Sequence, residues 1–512
     1  MTNLRSLLAT GARRDELQAR GSTLPSITLD GARLADFEAL VTGLLWPLRG
    51  FGLSPGPDGA WCGVPPLEVP LTAPIADGPG PHVALKDPEG VLLGVLDVAA
   101  QATSRAGRLL LSGTVEAVEV PAHDDFVSLR RATAVLQQQA GQSRRRVLAY
   151  VPRGVPHAGI RAALTAAAGR LDAAVLVLIP SAADEYHEAQ DFARVRALEV
   201  SAEQLPHECT TLAVVPLALP ATFGDACTKA ALVASNLGAS HLAVDETDWA
   251  PGSTDHLRTC STASGIEVLP LEPWGYDRRT GQLVQARDAD DGVELAPPAE
   301  EILSWPTPGL PEWLLTEGEI EAWRRAFVPR RAQGFTVFLT GLSGSGKSTI
   351  AKALRVKLME KTGRPVTLLD GDRVRRHLSS ELGFSREHRN LNILRIGWVA
   401  AGITRHGGMA ICAPIAPYDE IRRQVREMIE PAGGFLLVHV STPLETCEAR
   451  DRKGLYAKAR AGLLPQFTGV SDPYEAPADA ALAIDTRHTT VERACEEIME
   501  SLTAAGYLEP VR

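Results

Sequence analysis

The stretch that decides the fold is FTVFLTGLSGSGKST, residues 335–349. A run of apolar and β-branched residues predicts a buried strand, and the pattern G-x-x-x-x-G-K-S follows it at once, before the helical sequence IAKALRVKLMEK. The glycines let backbone N–H groups approach phosphate oxygens, Lys347 supplies a cation to the β- and γ-phosphates, and the Ser348 hydroxyl can ligate Mg²⁺. A glycine-rich turn that only caps a helix is the alternative, but the order strand, loop and helix favours a nucleotide-binding α/β unit.

Two groups of polar residues follow the phosphate-binding loop along the chain. The next predicted strand, PVTLL, ends in DGDRVR (370–375), which places two carboxylates and an arginine where open α/β sheets bind ligands. Taken alone, D-G-D is equally common in an ordinary turn. Farther on, Arg389, Asn392 and Arg395 recur at intervals of three, so a helix would carry them on one face. Such a face suits an anion, and a solvated charged face is the alternative.

A third predicted strand, GFLLVHV (434–440), leads into a basic and then flexible region. The sequence STPLE predicts a helix start in which Thr442 is the N-cap, Pro443 takes the first helical position and Glu445 closes a capping box. A dense basic run, CEARDRKGLYAKAR (447–460), precedes FTGVSDPYEAP (467–477), which is too rich in Gly and Pro for a helix. Together they predict a mobile lid that closes over phosphates and excludes water.

Length and composition limit the remaining possibilities. At 512 residues with 45% hydrophobic side chains, the chain predicts three or four globular domains. With 52 basic and 62 acidic side chains, the net charge of -10 gives no global field that would hold nucleic acid or an anionic membrane. Seven scattered cysteines without a C-x-x-C pair predict neither a disulfide framework nor a structural metal site. The absence of an evident signal or membrane segment completes the prediction of a cytoplasmic protein.

The chain before residue 330 divides by its pattern. Residues 24–120 read as short apolar runs broken by Gly and Pro, which predicts β-hairpins and loops rather than long helices. From residue 145, strands such as RVLAYV and AAVLVLIP alternate with helical segments such as GIRAALTAAAGRL, the pattern of βαβ units. An acidic and then Pro-rich stretch, residues 288–311, marks a boundary. We therefore expect domains at 1–135, 136–287, 288–330 and 331–512.

Five motifs of the last 180 residues together identify a resemblance: GLSGSGKST, DGDRVR, GFSREHRNLN, CEARDRKGLYAKARAG and FTGVSDPYEAP. In combination they resemble adenylylsulfate (APS) kinase, from about residue 335 to the C-terminus. That family transfers the γ-phosphoryl group of ATP to the 3′-hydroxyl of APS and forms PAPS, the activated sulfate donor. The resemblance implies ATP and APS as partners and Mg²⁺ with ATP as the cofactor.

The resemblance also implies roles for individual residues. The ATP-binding residues would be Gly341, Leu342, Ser343, Gly344, Ser345, Gly346, Lys347, Ser348, Thr349 and Arg450. The APS-binding residues would be Asp372, Arg375, Phe384, Arg389, Asn392, Lys453, Gly454, Leu455 and Phe467. Within these sets the catalytic residues would be Asp372, Lys347 and Lys453, with Asp372 placed to orient or deprotonate the 3′-hydroxyl. Ser348 and Asp370 would serve Mg²⁺, although the sequence does not separate the roles of Asp370 and Asp372.

Three positions depart from the kinase family's usual pattern. Ala416 replaces a serine and Asp419 a basic residue in APIAPYD, and His388 replaces an acidic neighbour of Arg389. None of them belongs to the phosphate-binding loop. We interpret them as subfamily variation with kinase activity retained.

The first 330 residues resemble ATP sulfurylase, an enzyme often fused to this kinase. The resemblance rests on LPSITLDGARLADFEALVTGLLWPLRGF, on VALKDPEGVLLGVLDV and on LPEWL at 310–314. It implies a multidomain α/β protein with an N-terminal, mostly β (PUA-like) domain and a Rossmann-like sulfurylase-type α/β domain. A small sulfurylase-type subdomain and a linker would precede the C-terminal P-loop kinase domain with its parallel sheet.

The sulfurylase motifs themselves are degenerate. Where that family has a Gln, an Asn and a second His that bind sulfate and ATP, this chain has Val151, Gly154 and Ile160, while Arg153 and His157 survive. Each missing hydrogen-bond partner costs about 1 to 3 kcal/mol of substrate binding. The survivors are either structural remnants or part of a site rebuilt for another anion, such as APS or PAPS.

A second sulfurylase motif, normally G-R-D-H-A-G, has also changed. Glu246 stands in place of its arginine and Asp248 in place of its histidine. At ~4 Å and an effective dielectric of 20, reversing one charge turns an attraction of about 4 kcal/mol into a repulsion of similar size. We therefore expect this region to be a pseudoenzyme domain.

Three functional hypotheses remain open at this point. The leading one is an APS kinase with a catalytically inactive sulfurylase-like region. The second is a bifunctional ATP sulfurylase/APS kinase, that is, a PAPS synthase. The third is a scaffold or regulatory partner of a separate ATP sulfurylase. By the resemblance we expect a homo-oligomer, a dimer or larger.

Overall fold

The structure is a computed structural model of the chain, and its backbone forms two compact units, Met1–Phe327 and Val328–Arg512. Both units combine helices with parallel sheets, so the predicted multidomain α/β class is confirmed. The structure describes residues 6–52, 64–69, 81–104, 108–139, 146–154, 156–182, 188–205, 210–220, 222–245, 254–286, 293–296, 312–326, 328–464 and 466–509.

The first unit begins with a mainly antiparallel sheet. Its path runs β1-β4-β5-β6-β2, with β3 also paired to β6. The strands are β1 (Ser26–Thr28), β2 (Gly50–Phe51), β3 (Leu67–Val69), β4 (His82–Lys86), β5 (Leu92–Thr103) and β6 (Leu109–Ala117). The helices are α1 (Ala12–Gly21) and α2 (Gly31–Val41).

Helix α2 departs from the expectation of hairpins and loops between residues 24 and 120. Its Phe37, Leu40 and Val41 are buried in the core of the sheet. Positions 37, 40 and 41 lie on one helical face, which is the spacing that a buried amphipathic helix requires. The sequence analysis did not assign this 11-residue helix, because Gly and Pro on both sides of it dominated the pattern.

A parallel sheet follows in the same unit, with strand order β11-β10-β7-β8-β9. Its strands are β7 (Arg146–Tyr150), β8 (Ala173–Ser181), β9 (Thr210–Pro216), β10 (His241–Val244) and β11 (Glu267–Pro270). The helices are α3 (Val127–Gln139), α4 (Ala158–Leu171), α5 (Glu188–Ala202), α6 (Phe223–Asn236) and α7 (Thr254–Ser264). Strands β7 and β8 and helix α4 are the βαβ elements that the sequence predicts.

The first unit closes with a small antiparallel sheet and a helix. The sheet has the order β13-β12-β14 and contains β12 (Trp274–Asp277), β13 (Gln282–Gln285) and β14 (Val293–Leu295). Helix α8 (Glu317–Ala326) packs its Trp323 into the core of the preceding parallel sheet. The larger part of the predicted boundary, residues 297–311, lies outside the described residues.

The second unit contains one five-stranded sheet in which every pairing is parallel, with the order β16-β17-β15-β18-β19. Its strands are β15 (Phe335–Thr340), β16 (Val366–Asp370), β17 (Met409–Ala413), β18 (Gly434–Val440) and β19 (Leu482–Ile484). All six residues of β15 are buried. The central strand therefore ends at the crevice where open α/β sheets bind their ligands.

Seven helices complete the described part of this unit. They are α9 (Lys347–Thr362), α10 (Gly371–His377), α11 (Arg386–Arg405), α12 (Asp419–Ile429), α13 (Leu444–Arg450), α14 (Leu455–Arg460) and α15 (Val491–Ala504). The Ser385 hydroxyl accepts the amide of His388 and fixes the start of α11, the longest of these helices.

Two expectations about the environment of the chain can be compared with the described residues. No helix in those ranges combines the length and the apolar character that crossing a bilayer requires. Five cysteines lie in the same ranges, and all are buried free thiols: Cys227, Cys260, Cys412, Cys447 and Cys495.

Candidate active site

The phosphate-binding loop connects β15 to α9 as the sequence predicts. Gly341, Gly344 and Gly346 have φ angles of 148°, 78° and 109°, in the region that side chains disfavour. A Cβ atom on Gly341 would also lie 2.4 Å from the carbonyl oxygen of Val440. Sterics and backbone conformation both require glycine there, so the loop can keep its N–H groups open for an anion.

Lys347 is the charged group at the centre of this loop. Its side chain is buried, and its Nζ donates to the carbonyl oxygens of Gly341 at 2.8 Å and Leu342 at 2.7 Å. A longer contact of 3.3 Å reaches the Ser345 hydroxyl. The ammonium is thus held against the loop itself, where phosphate oxygens can replace neutral carbonyls as stronger acceptors.

Ser348 and Asp370 meet at the first turn of α9. The Ser348 hydroxyl donates to Asp370 Oδ2 at 2.7 Å, and Asp370 is the last residue of β16. A hydroxyl and a carboxylate are hard oxygen donors of the kind that Mg²⁺ takes when phosphates supply further ligands. These two residues fit the metal, although no cluster of three or more His, Cys, Asp or Glu side chains occurs among the described residues.

Asp372 follows Asp370 in the first turn of α10. The backbone therefore places it at the same edge of the sheet as the phosphate-binding loop, but its side chain lies outside the described part of the structure. That Asp372 orients or deprotonates the 3′-hydroxyl of APS stays a prediction.

Two threonine hydroxyls donate hydrogen bonds to the backbone of the phosphate-binding loop. Both Thr442 and Thr486 donate to the carbonyl oxygen of Ser345, each at 3.0 Å. The expected capping role of Thr442 is wrong: α13 begins at Leu444, no side chain caps it, and Pro443 precedes it with extended backbone. The threonine hydroxyl is used across the fold because the buried Ser345 carbonyl needs a donor.

Arg450 and Tyr456 contact the same loop from the region that the sequence predicts as a lid. Arg450 Nη1 donates to the Thr486 hydroxyl at 2.8 Å and to the carbonyl of Gly344 at 3.4 Å. The Tyr456 hydroxyl donates to the carbonyl of Ser343 at 2.9 Å, and burial raises the pKa of this phenol. Arg450 therefore lies at the phosphate-binding loop, and its predicted binding of ATP stays a prediction.

Lys453, Gly454 and Leu455 form the turn between α13 and α14. Gly454 has a φ of 64°, and the Leu455 amide donates to Asp451 Oδ1 at 2.8 Å. Lys453 is exposed. The turn is fixed by its own hydrogen bonds, while the lysine is accessible to a ligand.

Two predicted APS-binding residues stack on each other. The Arg375 guanidinium lies 4.7 Å from the centre of the Phe384 ring and donates to the carbonyls of Leu382 and Gly383. Phe384 is 70% exposed. Phe467 instead packs edge-on against Tyr456, with ring centres 5.1 Å apart. Each ring has its own neighbour, and APS binding by Phe384 and Phe467 stays a prediction.

Arg389 and Asn392 lie one turn apart on α11. Arg389 pairs with Asp472 at 2.9 Å and also donates to the Thr468 hydroxyl at 2.8 Å. Asn392 is 3% exposed, and its Oδ1 has no hydrogen-bond partner among the described residues. Buried polar atoms are normally paired. The third residue of the predicted face, Arg395, turns instead to Glu381 at 2.5 Å.

The three departures from the kinase pattern have separate positions. The His388 Nδ1 accepts the amide of Gly383 at 2.9 Å and so supports the approach to α11. Ala416 is fully buried, and Asp419 begins α12. The pKa of the nearby His439 is lowered, first by burial and then by the charges of Arg422 and Lys347.

In the first unit, the surviving His157 has a structural function. It is the N-cap of α4, and its Nδ1 accepts the amide of Gly159 at 3.2 Å. Burial, assisted by the charge of Arg161, lowers the pKa of this imidazole to about 4. Arg153 donates to the carbonyl of Pro220 at 3.4 Å. The capping histidine is therefore neutral at pH 7.

The positions that have lost sulfurylase side chains belong to the core. Val151 is fully buried in the hydrophobic core that includes Leu176 and Leu178 of β8, and Ile160 is 4% exposed. Gly154 lies between them in the same connection. Glu246 and Asp248, which carry the second degenerate motif, lie outside the described residues.

The capping histidine predicts a pH dependence that can be measured. Its pKa is lower in the folded chain than the 6.5 of an unperturbed histidine, so the unfolded chain binds the extra proton as the pH falls. This group contributes full stability above pH 6.5 and reduces it by about 3 kcal/mol at pH 4. His157→Asn keeps a capping acceptor but does not titrate. Hydrogen exchange of α4 amides should lose that part of its pH dependence in the variant, and an unchanged dependence would contradict the effect.

Several residues of the site were not found from the sequence. The hydroxyls of Thr442 and Thr486, the Tyr456 phenol and the Tyr418–Asp472 contact at 2.7 Å all join segments that are distant in the chain. Asp472 lies in FTGVSDPYEAP, which the sequence predicts as part of a lid, and that was the available signal for its contact. Thr442 gave no such signal, because a threonine before a helix is typical of a cap.

Comparison with known proteins agrees with this geometry. The adenylylsulphate kinase family model matches residues 333–485, and the ATP-sulfurylase model matches residues 128–295. The sulfate adenylyltransferase of Emericella nidulans is 34% identical over 99% of this chain and 98% of that protein. The chain belongs to the family that fuses an ATP sulfurylase region to an APS kinase region.

Two further relatives of the chain support the assignment. The sulfate adenylyltransferase of Mycosarcoma maydis is 34% identical over 96% of each chain. Among solved structures, the hexameric APS kinase from Thiobacillus denitrificans is 33% identical, with a TM-score of 0.68, over 99% of this chain and 98% of that one. Relatives that match this chain over nearly its whole length therefore carry two different names.

Proposed function

We propose that the second unit is an APS kinase that transfers the γ-phosphoryl group of ATP to the 3′-hydroxyl of APS and forms PAPS. The observation that carries the proposal is the contact between Ser348 and Asp370, which joins the phosphate-binding loop to the D-G-D sequence. The match to the adenylylsulphate kinase model over residues 333–485 supports the same assignment.

On this proposal, the ATP phosphates bind the loop between β15 and α9. Backbone amides of this loop that are not already bonded within the protein and the Lys347 ammonium would hold the β- and γ-phosphates, and Arg450 would lie at the nucleotide beside Thr486. Ser348 and Asp370 would hold Mg²⁺, which supplies charge neutralisation at the phosphate oxygens. Phosphoryl transfer needs mainly positioning and charge stabilisation, which these groups provide.

APS would bind along α11 and beneath the predicted lid. The unpaired Asn392 oxygen and the Arg389 guanidinium offer an acceptor and a cation one helical turn apart. Phe384 and Phe467 would stack on the adenine of APS, and Arg375 would contact its sulfate and phosphate groups. Lys453, Gly454 and Leu455 would approach from the turn between α13 and α14. Asp372 would orient or deprotonate the 3′-hydroxyl, and Lys453 would stabilise the transferring group.

For the first unit we propose a sulfurylase-like fold without sulfurylase activity. The support is the burial of Val151 and Ile160 and the use of His157 as a neutral helix cap. A bifunctional PAPS synthase is the second candidate, favoured by the name sulfate adenylyltransferase of relatives that span the whole chain. A scaffold for a separate ATP sulfurylase is compatible with the first candidate as an added role.

One set of assays on the full chain tests both halves. With ATP, Mg²⁺ and APS we expect release of ADP that depends on APS, together with PAPS formation. With ATP and sulfate we expect no pyrophosphate release and no sulfate-dependent exchange of pyrophosphate into ATP. The absence of APS-dependent ADP would reject the kinase proposal, while clear exchange would reject the pseudoenzyme proposal and support the bifunctional candidate.

Assembly is a further part of this proposal. Because the full-length relative from Thiobacillus denitrificans is described as hexameric, we expect this chain to form a homo-oligomer. We also expect it to act in the cytoplasm. Light scattering after size-exclusion chromatography measures the first expectation directly.

A further inference from the structure

Residues 414–418, which we call the bridging segment, connect β17 to α12 and contact the phosphate-binding loop at one end. The Gly341 amide donates to the Ile415 carbonyl at 3.3 Å, and the Thr340 hydroxyl donates to the same oxygen at 2.6 Å. Thr340 also lies 3.2 Å from the Ala416 carbonyl. The start of the loop is therefore positioned by this segment.

The other end of the bridging segment contacts the predicted APS side and the lid. The Tyr418 hydroxyl donates to Asp472 at 2.7 Å and accepts from Arg389 Nη2 at 3.2 Å. The Glu475 amide donates to the Pro417 carbonyl at 2.8 Å. One short segment thus links the phosphate-binding loop, Arg389 and the lid.

The middle of the segment has a conformation that needs support. Ala416 is fully buried and has a φ of 45°, in the left-handed region that costs a non-glycine residue about 1 to 2 kcal/mol. The Arg422 Nη1 donates to its carbonyl oxygen at 2.8 Å. This contact stabilises the turn that brings both ends of the segment to their partners.

Arg422 is well suited to hold this turn rigidly. It is 2% exposed, and its Nη2 pairs with Asp419 at 3.2 Å, which fixes the plane of the guanidinium. Its charge contributes to lowering the pKa of His439 after burial, and His439 is the β18 residue paired with Thr340 in register.

Packing of α12 is provided by other residues. Ile421, Val425 and Ile429 are buried on the apolar face of the helix. In the described part of the chain, the side-chain hydrogen bonds of Arg422 go to Ala416 and Asp419. The arginine is consequently directed at the bridging segment, and the helix has separate apolar anchors.

We propose that Arg422 is a positioning residue for phosphoryl transfer. By fixing the Ala416 carbonyl, it holds the phosphate-binding loop and Arg389 at the separation that transfer between ATP and APS requires. The inference rests on the proposed kinase function. A displacement of about 1 Å between reacting groups lowers rates by about two orders of magnitude. Because Arg422 would set the spacing of the reacting groups without touching them, its loss should affect the chemical step more than substrate binding.

The test compares Arg422→Met with Arg426→Met, a matched control one turn farther along α12. Arg426 pairs with Asp479 at 2.8 Å and does not belong to the proposed machinery. For Arg422→Met we expect kcat per folded molecule to fall about 30-fold, with KM for ATP and for APS changed less than threefold. Arg422→Lys keeps a charged donor, so its kcat should fall by no more than about 10-fold. Arg426→Met should stay within twofold of the parent chain.

A second readout does not depend on kinase activity. Hydrogen exchange at the amides of Gly341 and Glu475, which donate to the bridging segment, should be at least tenfold faster in Arg422→Met and unchanged in Arg426→Met. An unchanged kcat per folded molecule, or Arg422→Lys no better than Arg422→Met, overturns the inference. If the parent chain releases no ADP with APS, the proposed kinase function fails. Unchanged exchange at both amides in Arg422→Met would separately overturn the claim that Arg422 holds the bridging segment.

Discussion

The variant Lys347→Ala is expected to lose APS-dependent ADP release by about 10³-fold. Lys347 is buried in the phosphate-binding loop with its Nζ on the carbonyls of Gly341 and Leu342, so the ammonium is already at the place where β- and γ-phosphates bind. Removing a preorganised charge that stabilises the transition state costs about 3 to 4 kcal/mol. Coupled measurement of ADP, with PAPS followed by chromatography, gives the value.

The control for this variant is Lys352→Ala on the same helix. Lys352 is exposed and lies outside the loop, so its loss should leave activity within twofold. Because two loop carbonyls lose a donor, Lys347→Ala should also lower the free energy of unfolding by about 1 to 2 kcal/mol. Rates are therefore compared per folded molecule. A Lys347→Ala chain with more than a tenth of the parent rate would contradict the assigned role.

Arg389→Met is expected to lower kcat/KM for APS by about 10² to 10³-fold, with KM for ATP within threefold. The Arg389 side chain is 13% exposed and held by Asp472, Thr468 and Tyr418, so its guanidinium is oriented before an anion arrives. Truncating one partner of such a charge-assisted contact costs about 2 to 5 kcal/mol. Initial rates over a range of APS concentrations at saturating ATP provide the measurement.

Two further variants separate the possible causes. Asp472→Asn removes the internal partner of Arg389 but keeps the guanidinium, so we expect less than a tenfold loss. Arg395→Met changes an arginine of the same helix that pairs with Glu381, and we expect a change within threefold. A loss from Arg395→Met equal to that from Arg389→Met would show that the helix, rather than the Arg389 contact, is responsible.

The fold of the second unit could be predicted because its pattern is local. In residues 335–349 a buried strand, three glycines with positive φ and the helix start are all encoded within 15 successive positions. The strands β16 and β18 were recognisable from their apolar runs for the same reason. Helix α2 was missed because short helices between Gly- and Pro-rich stretches give a weak periodic pattern.

Residues of the candidate site could be predicted where they belong to a local sequence motif. Residues that support another part of the site through a hydrogen bond could not. Lys347 and Ser348 followed from the loop pattern, whereas Thr442 was assigned to the wrong task. Its partner, the Ser345 carbonyl, is 97 positions away in the chain. Every residue carries a backbone carbonyl, so the residue type at position 345 does not indicate that its carbonyl accepts a hydrogen bond from Thr442.

The sequence by itself determined the class of the fold, the phosphate-binding loop and the loss of polar groups at Val151 and Ile160. The first two depend on residue type and spacing within single segments, whereas the loss of polar groups is inferred from the resemblance to ATP sulfurylase. The tertiary structure alone decided that Arg422 holds the left-handed Ala416 and that His157 caps a helix as a neutral base. Burial and long-range hydrogen bonding set these roles, and both arise only when segments distant in the chain pack together.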